Sequence, residues 1–288
     1  MPYGDQENID SPTMVYYRGD SLDMVRRDSA WKSQIDIAHA AGFRVFLKPH
    51  VWISAPTAGK WRSDVFPSND KNWKLWQASY RDFILAYAKI AAENKVELFC
   101  VGTEFSRLAI EKPLFWRQLI RDVRRVYTGK ITYAANWYEE FEKITFWDDL
   151  DYIGIQAYFP LVKNEYPTVP QLAKAWDKHI PSIEVIHQQY QRKILFTEMG
   201  YKSTADSAIS PWEWIDYTGK PDKAVSDETQ ANCYAAFFDV IWNKDWLAGV
   251  HLWQWRSDFE KGRGKSHLDF TPQGKPAERL ISTRFGEK

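Results

Sequence analysis

Two cysteines in 288 residues are too few for a disulfide framework, and Cys100 and Cys233 do not share the spacing of a metal site. Each lies in an apolar run, Cys100 in a strand-like one and Cys233 in a helical one, so both are expected to be buried free thiols. Net charge is missing as well, since 38 Lys plus Arg balance 38 Asp plus Glu. A nucleic-acid binder needs a basic surplus to neutralise phosphates, and no nucleic-acid partner is expected. No apolar run approaches the ~20 residues that span a bilayer, which removes an integral membrane protein and a membrane partner. Met1-Pro2-Tyr3-Gly4-Asp5 lacks the apolar stretch of a signal peptide. The GxSxG, HExxH, Walker and dinucleotide fingerprints are absent too, and His50 has no second histidine at ligand spacing. Neither a metal nor an organic cofactor is expected.

Aromatic residues are what the chain has in excess: 15 Trp, 15 Tyr and 16 Phe, or 16% of the sequence. Aromatic faces with polar neighbours suit sugars, whose C–H faces stack on rings while their hydroxyls reach polar side chains. Position decides which rings serve that purpose. Trp73, Trp76 and Trp116 fall at helical spacing and are expected in the core. Trp52, Trp137, Trp212, Trp253 and Trp255 follow strands or lie in long loops and are candidates to bind substrate.

From about residue 20 onward, helical and strand patterns alternate. Helices are expected over 21–41, 72–94, 113–127, 170–190, 227–243 and 277–284, with Gly42 closing the first. Strands are expected over 43–48, 97–102, 131–135, 152–157, 193–197 and 249–253. Six buried strands separated by helices imply βαβ units and a parallel sheet in one domain. The connections after strands are long (51–71, 201–225 and 256–274) and those before strands are short. Parallel α/β folds build their sites on the carboxyl side of the strands, so this asymmetry favours an enzyme.

Most of the 38 acidic residues are solvated helix-surface charges by default. Glu104 and Glu198 are placed differently, each directly after an apolar strand, where burial of a carboxylate is costly without partners. A purely structural Glu would cap a helix or pair with Arg107 or Lys202. Period two along the strands groups Glu104 with Gly102 and Cys100. The same rim collects Lys48, His50, Asn136, Gln156, Tyr158 and Glu198, then Trp253 and Trp255. Two carboxylates among hydrogen-bonding and aromatic groups are what hydrolysis of a glycosidic bond requires. One protonates the leaving oxygen, and the other attacks the anomeric carbon or activates water.

The strand ends Lys48-Pro49-His50, Gly102-Thr103-Glu104, Asn136-Trp137, Gln156-Ala157-Tyr158, Thr197-Glu198-Met199-Gly200 and Leu252-Trp253-Gln254-Trp255 resemble glycoside hydrolase family 113. That family comprises β-1,4-mannanases of the retaining (β/α)8 clan with glutamates on strands four and seven. The resemblance runs through nearly the whole chain, residues 1–288, read as one catalytic domain. It implies a TIM-type barrel, an oligo- or polysaccharide substrate, Glu104 as acid/base and Glu198 as nucleophile. Tyr158 would be the tyrosine that hydrogen-bonds the nucleophile and keeps it ionised. Thr103 departs from the wider clan, most of which carries an Asn there for the sugar 2-hydroxyl, and Asn136 is the candidate to replace that contact. Another β-glycanase or β-glycosidase of the clan and an inactive carbohydrate-binding barrel remain open alternatives. The six strands match strands three to eight of the barrel, with residues 1–4 past the end of the second and 5–19 in the loop after it. The expectation is an amino-terminally truncated barrel whose parent chain is exported.

Overall fold

The computed structural model describes residues 2–14, 21–215, 223–257 and 268–286, with backbone alone over 21–27. Residues 15–19 of the expected loop 5–19 lie outside the described residues, as do parts of the long segments 201–225 and 256–274. Two compact units, Met1–Gly154 and Ile155–Lys288, make up the chain.

The first unit opens with β1 (Tyr3–Gln6), α1 (Ser21–Ala40), β2 (Phe46–Leu47) and β3 (His50–Ile53). It continues through α2 (Asp70–Glu93), β4 (Leu98–Thr103), α3 (Ser106–Glu111), α4 (Pro113–Arg124) and β5 (Lys130–Asn136). All its strand pairs are parallel: β1 with β3, β2 with β4, and β4 with β5. The strand expected over 43–48 shortens to Phe46–Leu47, and a further strand, His50–Ile53, follows it. Pro49 has no N–H to give to a ladder, and the chain changes partner there, from β4 before it to β1 after it. Tyr3–Gln6, read from sequence as strand end and loop, is therefore a parallel strand against His50–Ile53.

Helix ends follow their side chains. Asn69 caps α2 by accepting the amide of Asn72 at 2.9 Å, and Gly42 takes φ +81° just beyond α1, a conformation that costs glycine little. The apolar face of α2 buries Trp76, Tyr80, Phe83, Tyr87 and Ile90, as its spacing predicts. Trp116 of α4 is fully buried, with ring centroids 5.0 Å from Tyr133, 5.6 Å from Tyr80 and 5.9 Å from Phe146. Gly102 faces this cluster; a Cβ there would stand 2.6 Å from the Trp116 ring. Trp116→Ala should cost about 3–5 kcal/mol of stability, the scale for deleting a buried aromatic side chain, as read by denaturant unfolding.

The second unit takes up β6 (Ile153–Gln156) and holds α5 (Val169–Ala175), α6 (Ile180–Tyr190) and β7 (Ile194–Met199). It ends with α7 (Asp227–Val240), β8 (Leu247–Leu252) and α8 (Pro276–Gly286). The helix expected over 170–190 is interrupted by a 3-10 turn at Trp176–Lys178. Pro181 supplies the reason: its ring excludes the carbonyl of Asp177 from a continuous helix, so a new helix starts around it. Ser226 caps α7 through the amide of Thr229 at 3.1 Å. Strands β7 and β8 pair in parallel. This alternation of parallel strands with helices is that of a TIM-type (β/α) barrel. Cys100 and Cys233 are buried and free. Among the described residues no helix is long and apolar enough to cross a membrane.

Candidate active site

Glu104 follows a strand that breaks its own alternation. Three steps along β4, Cys100 to Thr103, match two along β5, Thr132 to Ala134, so a bulge shifts the phase. Cys100 Sγ and Thr103 Oγ1 come within 3.8 Å on one side. Gly102 turns instead toward Trp116 and Tyr133, and the expected grouping of Glu104 with Gly102 fails for that reason. Glu104 itself takes φ +55°, in the left-handed region that costs a side-chain-bearing residue roughly 1–2 kcal/mol. Two bonds hold it there: its amide donates to the Ala134 carbonyl at 2.9 Å, and the Phe105 amide donates to the Tyr133 hydroxyl at 2.8 Å.

The Glu104 carboxylate meets Arg62, which the sequence did not single out. Arg62 sits in a 3-10 turn, Arg62–Asp64, and donates from Nη2 and Nε to Glu104 Oε2 at 2.6 and 2.9 Å. Its third arm, Nη1, lies 3.3 Å from His50 Nδ1 and donates to the Val51 carbonyl at 3.1 Å. Both side chains of the ion pair are nearly buried. Burial first, then the positive charges of Lys48 and Arg62, hold the His50 pKa well below its usual value, so the ring is neutral near pH 7. Lys48, His50, Arg62 and Glu104 thus form one group. Arg107, the structural alternative as a partner, pairs with Glu111 instead and stacks on Phe66. Beside the group, Trp52 and Trp61 meet edge to face at 5.6 Å, both partly exposed, with the Arg62 guanidinium 4.8 Å from the Trp61 ring.

Asn136, at the end of β5, joins a second missed residue. Glu140 is fully buried and accepts from the Tyr133 hydroxyl, the Ser106 hydroxyl, and the amide and side-chain Nδ2 of Asn136, at 2.5, 2.8, 2.8 and 2.8 Å. Burial, the largest cause, together with the charge of Glu104 outweighs these donors and pushes its pKa up from the usual 4.5 to about 7. A raised carboxyl pKa means that the folded chain binds this proton more tightly than the unfolded one. Its contribution to stability is complete below about 4.5 and is lost as pH rises through about 7. Glu140→Gln should therefore flatten the fall of Tm between mildly acidic and mildly alkaline pH. Trp137 is half-buried and lies 4.9 Å from the Tyr138 ring.

In the second unit Glu198 lies inside β7 rather than after it. The Tyr158 hydroxyl donates to Glu198 Oε2 at 2.8 Å, the contact that the resemblance implied. One residue before Glu198, the Thr197 hydroxyl donates to Gln156 Oε1 at 2.9 Å, and the Glu198 carbonyl accepts from the Ala157 amide at 2.6 Å. Lys202, the other structural alternative, points its ammonium at the carbonyls of Ser210 and Glu213. Gly200 admits no Cβ, because one would overlap the Trp253 carbonyl oxygen. Phe270 stands 6.3 Å from the Tyr158 ring and 5.5 Å from Trp214, which meets Trp253 edge to face at 6.0 Å. Trp253 therefore belongs to the Tyr158 surroundings through Phe270 and Trp214, and Trp214 was not expected. Trp212 and Trp255 are exposed.

The sequence model of Glycoside Hydrolase Family 113 matches residues 2–275. No curated protein matches the chain. Among solved structures, a complex of a GH113 beta-1,4-mannanase superposes with a TM-score of 0.82 at 28% identity, over 99% of this chain and 86% of that one. The GH113 beta-mannanase AaManA from Alicyclobacillus acidocaldarius, in complex with ManMIm, gives a TM-score of 0.81 at 27% identity, over 99% and 85%. A beta-glucuronidase from Ruminococcus gnavus is similar in fold alone, with a TM-score of 0.57 at 14% identity over 99% of this chain and 50% of that one. The family model spans most of the chain and the fold superposes on solved members, and the chain belongs to Glycoside Hydrolase Family 113.

Proposed function

We propose that this glycoside hydrolase cleaves β-1,4-mannosidic bonds in mannan or manno-oligosaccharides with retention of configuration. The observation that carries the reading is the family match across residues 2–275, and Glu104 directly after β4 with Glu198 near the end of β7 supports it. Glu198 is the nucleophile. Its carboxylate attacks the anomeric carbon and forms a glycosyl–enzyme ester while the leaving oxygen departs. The hydrogen bond from Tyr158 stabilises the charged carboxylate before attack and orients its other oxygen.

Glu104 is the acid/base. Arg62 occupies only its Oε2, and no described residue donates to Oε1, which leaves that oxygen to pass the proton. In the first step Glu104 gives its proton to the leaving oxygen; in the second it takes one from the water that opens the ester. Lys48, His50, Asn136 and Gln156 supply polar contacts to the sugar, and Trp52, Trp61, Trp137 and Trp253 supply stacking faces, with Trp212 and Trp255 farther out.

The test is release of reducing ends from mannan, glucomannan, cellulose and xylan, with the anomer formed first followed by NMR. Cleavage of mannan and glucomannan with the β anomer appearing first is the expected result. Cleavage confined to cellulose or xylan would assign another substrate. Inversion would overturn the double displacement, and binding of every glycan without cleavage would overturn the enzymatic reading.

A further inference from the structure

The side chain of Asn136 has two faces, and Glu140 determines which one it offers. An ionised carboxylate has about four lone-pair sites. Glu140 receives four donors: the Tyr133 hydroxyl on Oε1, and on Oε2 the Ser106 hydroxyl with the backbone and side-chain nitrogens of Asn136. Since Ser106 spends its proton on Glu140, its oxygen is free to accept, and Asn136 Nδ2 lies 3.0 Å from it. Nδ2 also lies 3.2 Å from the hydroxyl of Ser63, the neighbour of Arg62. Every polar contact of the amide thus uses its nitrogen. Oδ1 receives no donor among the described residues and still touches solvent. A flipped amide would set two acceptors against each other at 2.8 Å inside a buried pocket, which costs on the order of a few kcal/mol.

The second arm of the network reaches the chain beside Glu104. Tyr133 donates to Glu140 and accepts the amide of Phe105, the residue directly after Glu104. One buried carboxylate thereby ties the left-handed turn at Glu104 to the orientation of Asn136.

We propose that Glu140 is a positioning residue, whose carboxylate locks the Asn136 amide so that Oδ1 stands as a fixed acceptor for a hydroxyl of the sugar bound beside Glu104. The proposal rests on the glycosidase reading and deepens it. Besides Glu140, the titratable groups facing this cluster are Glu104, whose charge opposes ionisation of Glu140, and the phenols of Tyr133 and Tyr138. Below about pH 7 Glu140 gains a proton, its Oε2 loses the negative charge that strengthens its bonds to the Asn136 nitrogens, and the lock on Asn136 loosens.

The test has an arm that needs no turnover. In wild-type protein carrying isotope-labelled asparagine, the side-chain amide resonances of Asn136 should move with a midpoint near pH 7, and this movement should vanish in Glu140→Gln. The second arm is a cycle of kcat/KM on a manno-oligosaccharide. Glu140→Gln should lose roughly ten- to a hundredfold, the scale on which a displaced contact group acts, and should lose little more when added to Asn136→Ala. An Asn136 amide indifferent to pH across that range would overturn the proposal even if Glu140→Gln failed to fold. So would fully additive losses in the cycle. A protein that cuts no glycan would defeat the glycosidase reading alone, with the resonance titration still deciding the role of Glu140.

Discussion

Glu198→Gln should lower kcat on mannan by roughly 10⁴-fold or more, the scale of losing the group that forms the covalent intermediate. The fold should be unaffected for a specific reason. Glutamine has the shape of glutamate, and its carbonyl oxygen can accept the Tyr158 hydroxyl that now sits 2.8 Å from Oε2. The Tyr158 hydroxyl is not stranded, and the unfolding midpoint should stay close to that of wild type. What is lost is charge and nucleophilicity, since a neutral amide attacks an anomeric carbon poorly. Tyr158→Phe separates positioning from chemistry. It keeps the nucleophile but removes its donor, and a loss far smaller than that of Glu198→Gln is expected. Near-normal turnover in Glu198→Gln, measured by reducing-end release on protein of native melting behaviour, would remove Glu198 from the mechanism.

The residues that were legible in the sequence share a property: the backbone pattern marks them. Glu104 and Glu198 stand out because a carboxylate interrupts or ends an apolar strand, a local contrast that needs no tertiary information. The helix over 72–94 was legible because aromatic residues recur at three- and four-residue steps, and Trp76, Tyr80, Phe83 and Tyr87 are buried in α2, while Trp73, expected in the core, is half-buried. Arg62 and Glu140 carry no such mark. Arg62 follows Lys60 and Trp61 in a long loop, and only folding brings its guanidinium to an acid 42 positions away. Glu139 and Glu140 are adjacent and identical in type, yet the side chain of Glu139 is 78% exposed while Glu140 is fully buried. A turn with φ +53° at Glu139 separates their fates, and no periodicity predicts it.

Alternation failed for a related reason. Period two assumes an unbroken ladder, and the bulge between Cys100 and Thr103 inserts one residue where the strand approaches its functional end. Sheet patterning is therefore least reliable at the position where the chemistry is placed. Strand Tyr3–Gln6 was missed because four residues with a glycine and an acid have no apolar signature; its identity comes from its parallel register with His50–Ile53.

Glu104→Gln should separate the two halves of the reaction by leaving group. On mannan, whose leaving oxygen needs a proton, kcat/KM should fall about 10²–10⁴-fold, the contribution of a positioned general acid. On an aryl glycoside with a strongly electron-withdrawing ring, the leaving oxygen departs unaided, and kcat/KM should stay near that of wild type. Turnover on that substrate should still be slow, because the second step needs Glu104 to take a proton from water. The covalent intermediate on Glu198 should then accumulate as a burst of released phenol. A small anionic nucleophile that needs no base, such as azide, should restore turnover and give a glycosyl azide of unchanged configuration. The variant also tests Arg62. A glutamine can keep an oxygen toward Nε and Nη2, now 2.9 and 2.6 Å from Oε2, but it returns no charge to the guanidinium. Some stability should therefore be lost near neutral pH, where removing one partner leaves the other charge buried and uncompensated. Equal losses in kcat/KM for mannan and for the activated glycoside, with no burst and no response to azide, would assign the proton transfer to a different residue.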